Sequence, residues 1–127
     1  DKNDPATARQ NLLASKKLHE LHQLPDSQTI FIKQNPDVIR QGIFHNDVIS
    51  VGNENVLLYH EHAFARGKED IVAITRAYHT LHPGEKLHLL EIPEAKLSVA
   101  DAVKTYFFNS QIVTKPDGTM VIIAPQE

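Results

Sequence analysis

The sequence predicts a single α/β unit, and three observations carry that prediction. Short apolar runs of strand composition come in pairs around turn signals, at Gly52-Asn53-Glu54 and at Lys115-Pro116-Asp117-Gly118. Between and before these pairs lie stretches with apolar residues at helical spacing and with recognisable ends. No low-complexity linker divides the 127 residues, a length suited to one domain.

Taken in order, the elements follow from local chemistry. From Ala6 to about Leu24 the residues are good helix formers, with Ala14, Leu18, Leu21 and Leu24 marking an apolar stripe, Thr7 or Asp4 as candidate caps and Pro25 as the stop. Gln28-Thr29-Ile30-Phe31-Ile32 has strand composition and is interrupted near Pro36. Asp47 to Val51 and Asn55 to Tyr59 read as a β-hairpin. A helix is expected from Lys68 to Leu81, with Ile71, Ile74, Tyr78 and Leu81 on one face and Pro83-Gly84 closing it. A strand over Leu87 to Ile92 follows. Ser98, with Asp101 three residues on, is a helix-start signal that opens a short helix through Ala102 and Tyr106. Ser110 to Thr114 and Thr119 to Ala124 form the last hairpin.

Composition narrows the function classes. The formal net charge is −3 and no segment concentrates Lys or Arg, which argues against a nucleic-acid partner. No window approaches the ~18 consecutive apolar residues of a membrane span, and no apolar segment follows a basic start. A cytoplasmic location is the expectation. There are no cysteines, so these residues hold no disulfide, no thiolate metal site and no cysteine nucleophile.

The most informative stretch is Gly42-Ile43-Phe44-His45-Asn46-Asp47-Val48-Ile49. On an extended backbone residues two apart share a face, so His45 and Asp47 are expected to project together from a largely buried strand. A carboxylate buried without a partner is costly, and a cationic ligand would relieve that cost. The alternative is a structural hydrogen-bonded pair at a strand start, since titratable groups also serve in structural networks. Gly42 and the apolar flanks favour a site, because glycine lets backbone approach a ligand closely.

Eight histidines raise the question of a metal, above all His60-Glu61-His62 and the helical pairs His19 with His22 and His79 with His82. Each arrangement supplies two ligands where a closed site needs three or four, so no metal site is assigned. The four helical histidines are assigned to solvated helix faces. Arg9 stands near the start of the first helix, where a cation opposes the helix dipole, and its local pattern demands no ligand.

Several blocks together resemble one family. Gln34-Asn35-Pro36, Gln41 through Ile49, Val56-Leu57 with His60 and Ala63-Phe64-Ala65, and Ser98 through Val103 followed by Phe108-Asn109-Ser110-Gln111 stand in the order found in the N-succinylarginine dihydrolases. The resemblance runs nearly end to end, from Ala8-Arg9-Gln10 to Pro125-Gln126-Glu127. It implies the pentein, or α/β-propeller, fold of guanidine-modifying enzymes, of which this chain would be an internal fragment of about two ββαβ-like blades.

The resemblance also implies a chemistry. A cysteine thiolate attacks the guanidinium carbon of N2-succinylarginine, ammonia leaves and water releases the intermediate. A second round gives N2-succinylornithine, a second ammonia and carbon dioxide. By this resemblance His45 is the general acid/base, Asp47 binds the substrate guanidinium and Arg9 grips a substrate carboxylate. The cysteine and an acidic partner of the histidine would lie outside the chain. The resemblance implies a homodimer and neither metal nor organic cofactor. Arg40 departs from the family pattern, in which an acidic residue often precedes Gln41-Gly42. Two rival readings stand beside it: another pentein such as a deiminase, and a non-catalytic module that keeps the guanidinium-holding carboxylate.

Overall fold

The computed structural model describes residues 10–125, which form a mixed α/β arrangement with two small sheets, neither of them closed. Helix α1 spans Leu12–Leu21 and is capped by Asn11, whose side chain accepts from the Ala14 amide at 2.9 Å. Thr7 and Asp4, the caps expected from sequence, lie outside the described residues. The helix closes before Pro25: Gln23 turns left-handed at φ 52°, its amide bonds to the Glu20 carbonyl, and the Leu24 amide bonds to that of His19. None of its residues is buried, so the apolar stripe stays open among the described residues.

The strand expected over Gln28 to Ile32 does not form. Asp26–Gln28 make a single 3₁₀ turn, and the following segment forms no ladder, only the isolated Gln34 and Phe64 bridge, where the Asn35 amide donates to the Ala63 carbonyl at 3.0 Å and the Ala65 amide to that of Lys33 at 2.9 Å. Strand composition alone found no ladder partner there, a case of tertiary context overriding propensity. In its place comes a short helix, α2, over Pro36–Arg40. Asn35 caps it, accepting from the Asp37 amide at 2.9 Å, and Pro36 occupies the first turn, where its missing N–H costs nothing.

The hairpin is present as β1, Ser50–Asn53, and β2, Val56–His60, paired antiparallel from Ser50 opposite Tyr59 to Asn53 opposite Val56. Helix α3, Lys68–Leu81, has the bounds read from sequence and carries the chain to β3, His88–Ile92, which lies parallel to β2. A parallel neighbour demands such a crossover. Ser98 caps α4, Val99–Thr105, by accepting from the Asp101 amide at 3.0 Å while its hydroxyl donates to the Asp101 carboxylate at 2.6 Å. Tyr106 ends that helix in the left-handed region at φ 52°. The second sheet is the hairpin of β4, Gln111–Thr114, and β5, Met120–Ile123, with Gly118 at φ 81° in its turn.

The core has two parts. Val38, Ile43, Ile49, Tyr59, Phe64 and Val99 join α2, the first sheet and α4. Leu58, Ala102, Phe108 and Ile112 tie that sheet to the last hairpin. Ile43 and Ile49 are fully buried, and they bracket the stretch that carries His45 and Asp47.

Candidate functional site

The local sequence presents His45 by a well-defined path. At the end of α2 the Gly42 amide donates to the Ile39 carbonyl at 3.0 Å and the Ile43 amide to the Val38 carbonyl at 3.1 Å. This is the paired closure of a helix whose exit residue turns left-handed, and Gly42 does so at φ 101°. A Cβ built on Gly42 would meet nothing within 4 Å. Gly42 is therefore required for its backbone angle, and no neighbouring protein atom crowds it. The Gln34 side-chain amide donates to the Ile43 carbonyl at 2.6 Å and fixes the same corner.

The chain then rises to the surface. Phe44 is 48% exposed, and its ring centroid lies 4.9 Å from that of His45 with the planes tilted by 49°. His45 is half-buried with extended backbone, and it precedes a 3₁₀ turn over Asn46–Val48. The predicted buried strand is thus corrected. The β-branched residues begin a strand only at Ser50, because the Asn46 carbonyl accepts from the Ile49 amide at 3.0 Å and its side-chain amide donates to the Ser50 hydroxyl at 2.7 Å. Asp47 is exposed, so its carboxyl group is not desolvated; it stands two residues from the half-buried His45.

Arg9 lies outside the described residues. Arg40, which departs from the expected acidic residue, donates to Asp37 at 2.8 Å one helical turn earlier and stands in the last turn of α2, where a cation is favoured.

The other histidines divide by environment. His60 is fully buried: its Nδ1 accepts from the His62 amide at 3.1 Å, so Nε2 carries the proton and donates to the Leu97 carbonyl at 2.9 Å. Both ring nitrogens are thereby engaged in holding β2 to the start of α4. Glu94 extends this junction, accepting from the Val99 amide at 3.0 Å, and its own amide donates to the Glu61 carboxylate. His19 departs from its expected solvated position. It packs edge-on against Phe31 at 5.8 Å and stands 3.4 Å from the Asp26 carboxylate. Among the described residues no three His, Asp or Glu side chains gather as a metal site.

Sequence reasoning missed a buried carboxylate. Asp70, 1% exposed, accepts from the Arg66 backbone amide at 2.9 Å and from the Arg66 guanidinium at 2.9 and 2.6 Å, which raises the guanidinium pKa above its ordinary value. An acidic residue three positions after Gly67 at the start of a helix was the available signal. Two concavities accompany the first sheet. An open groove of about 560 Å³ runs along α3 beside Leu89, and a smaller cavity of about 120 Å³ lies between Tyr59, Glu61, Lys68 and Glu91. Neither is lined by His45 or Asp47, whose turn is presented at the surface instead.

The profile that describes succinylarginine dihydrolases matches residues 2–127. The chain belongs to that family. It is 54% identical over 118 residues to the N-succinylarginine dihydrolase of Shewanella loihica, covering 93% of this chain and 26% of that protein. The corresponding protein of Shewanella sediminis is 53% identical over 118 residues, and that of Shewanella amazonensis 52% identical over 120, each again covered over 26% of its length. The chain therefore spans about a quarter of the length of these curated relatives. No helix among the described residues is long and apolar enough to cross a membrane.

Proposed function

We propose that this chain is a segment of an enzyme that hydrolyses N-succinylarginine to N-succinylornithine, two molecules of ammonia and carbon dioxide. The observation that carries the reading is the family match across the whole described region, with its His45-Asn46-Asp47 block on a surface turn fixed from both sides. In this reading a cysteine thiolate from the remaining length attacks the guanidinium carbon. His45 protonates the departing nitrogen and then takes a proton from the water that releases the intermediate. Exposed Asp47 holds the guanidinium through paired charge-assisted hydrogen bonds, and Arg9 grips a succinyl or α-carboxylate. The chemistry needs no metal and no organic cofactor.

Strand, strand, helix and strand, as β1, β2, α3 and β3, would be one blade of a pentein, and the β4 and β5 hairpin would open the next. The full enzyme is proposed as a cytoplasmic homodimer. The test is stoichiometric. A full-length enzyme carrying this segment releases two ammonia per N-succinylarginine. One ammonia with a ureido product would assign a deiminase and overturn the proposal. The 127-residue chain alone, which has no cysteine, releases none, and turnover by that chain would remove the thiolate from the mechanism.

A further inference from the structure

The Asn109-Ser110-Gln111 block has no part in the function argued so far, yet two contacts fix where it lies. The Asn53 side-chain amide donates to the Thr114 hydroxyl at 2.8 Å, which joins the ends of β1 and β4. At the other end the Phe108 ring stands edge-on to His60 at 6.2 Å, and the His60 amide bonds to the Ile49 carbonyl at 3.0 Å. Residues 49–53 and 108–114 therefore run side by side in one direction. That arrangement puts Asn109-Ser110-Gln111 toward the Ile49 end of the pair, and Ile49 is the residue that follows the Asn46–Val48 turn.

Burial alternates along the block. Asn109 and Gln111 are exposed, whereas Ser110 and Ile112 are buried. The Ser110 hydroxyl, itself without access to solvent, has no hydrogen-bond partner among the described residues. The alternation puts Ser110 on the inner face and leaves the Asn109 and Gln111 carboxamides together on the exposed one.

We propose that Asn109 and Gln111 form a second wall of the ligand site and accept the guanidinium N–H groups that Asp47 leaves unpaired. The inference rests on the reading that the site takes N-succinylarginine. An alkyl guanidinium carries five N–H donors, and one carboxylate fork takes two of them. The other three are costly to leave unsatisfied once water is excluded. Carboxamide oxygens satisfy such donors without placing a second negative charge beside His45.

The test uses a full-length enzyme with its nucleophile removed, and two ligands. N-succinylornithine keeps the succinyl group and lacks the guanidinium. Asn109→Leu and Gln111→Met, close in volume but without a carboxamide acceptor, weaken N-succinylarginine about ten-fold or more, the scale of a hydrogen bond to a charged group. They leave N-succinylornithine within about two-fold, well inside the span of a neutral hydrogen bond. Asn109→Asp and Gln111→Glu, which retain an acceptor, bind N-succinylarginine at least as well as the parent. Equal losses for both ligands, no loss for either, or a loss in the acidic variants matching that in Leu and Met would each overturn the inference. Asp47→Asn measured alongside separates the two levels. A selective loss there without one at Asn109 or Gln111 removes only the second wall, whereas no selective loss at Asp47 removes the guanidinium site itself.

Discussion

The amide of Ile43 donates to the carbonyl of Val38 at 3.1 Å while both side chains lie in the same buried cluster, so one corner couples the end of α2 to the core. Phe44 and His45 follow directly from that corner. Their presentation is thus set by a helix exit and two aliphatic side chains, and the corner can open only if Gly42 gives up φ 101°.

Gly42→Ala should therefore act through backbone strain alone, since a methyl group there meets no neighbour. The expected cost is about 1–2 kcal/mol, the penalty for holding an L-residue in a left-handed conformation. In a full-length enzyme the unfolding free energy should fall by that amount, read from a lowered denaturation midpoint, and kcat should fall with it as the His45 turn shifts. An unchanged midpoint would mean that the helix exit tolerates a residue other than glycine.

His45→Ala should abolish turnover in the full-length enzyme and leave the fold intact, because the side chain is half-buried on a surface turn and lies in neither buried cluster. General acid/base catalysis contributes about 10²–10⁴ in rate. Steady-state ammonia release together with a thermal unfolding curve checks both halves of this statement. Near-normal turnover with the parent pH profile would return His45 to a structural role.

Asp47→Asn preserves shape and removes charge. Its exposure makes the change neutral for stability, so any effect should appear in ligand capture. A hydrogen bond to a charged group is worth roughly 1.5–3 kcal/mol, which is about one to two decades in affinity. Isothermal titration of N-succinylarginine into the nucleophile-free enzyme measures it directly.

How much of this was legible in the sequence depended on whether local chemistry or a distant partner decided each element. Helix α3 was legible to the residue, since its stripe from Ile71 to Tyr78 and the Pro83-Gly84 stop are local signals. The Ser98 cap and the Gly118 turn were legible for the same reason. Gln28 to Ile32 failed as a strand because a ladder needs a partner, and there the partner is a single bridge at Gln34. The His45 stretch failed as a strand because Asn46 bonds Ile49 and Ser50, which its apolar neighbours masked. Helix α2 rests on Asn35-Pro36, a cap followed by a first-turn proline, and the same proline is equally a strand stop, so sequence alone does not separate the two. The exit angle of Gly42 and the pairing of Asp70 with Arg66 emerge only once the chain is folded.

Tyr59 supplies a pH-dependent prediction. Its hydroxyl donates to the Glu91 carboxylate at 3.1 Å, and burial, then that bond and the adjacent negative charge, push its pKa from 10.0 up to about 12. A raised folded-state pKa means that the folded protein keeps the phenolic proton after the unfolded chain has lost it. The associated stability is thus fully present below pH 10.0 and disappears as pH rises through about 12. Tyr59→Phe should remove the hydrogen bond at a cost of about 1 kcal/mol at neutral pH and flatten the loss of stability across that alkaline window. Phenolate absorbance followed with pH in the full-length enzyme, parent against Tyr59→Phe, isolates the contribution of this one group. If the difference titrates near pH 10.0 rather than 12, Tyr59 is not held neutral by its burial and by Glu91.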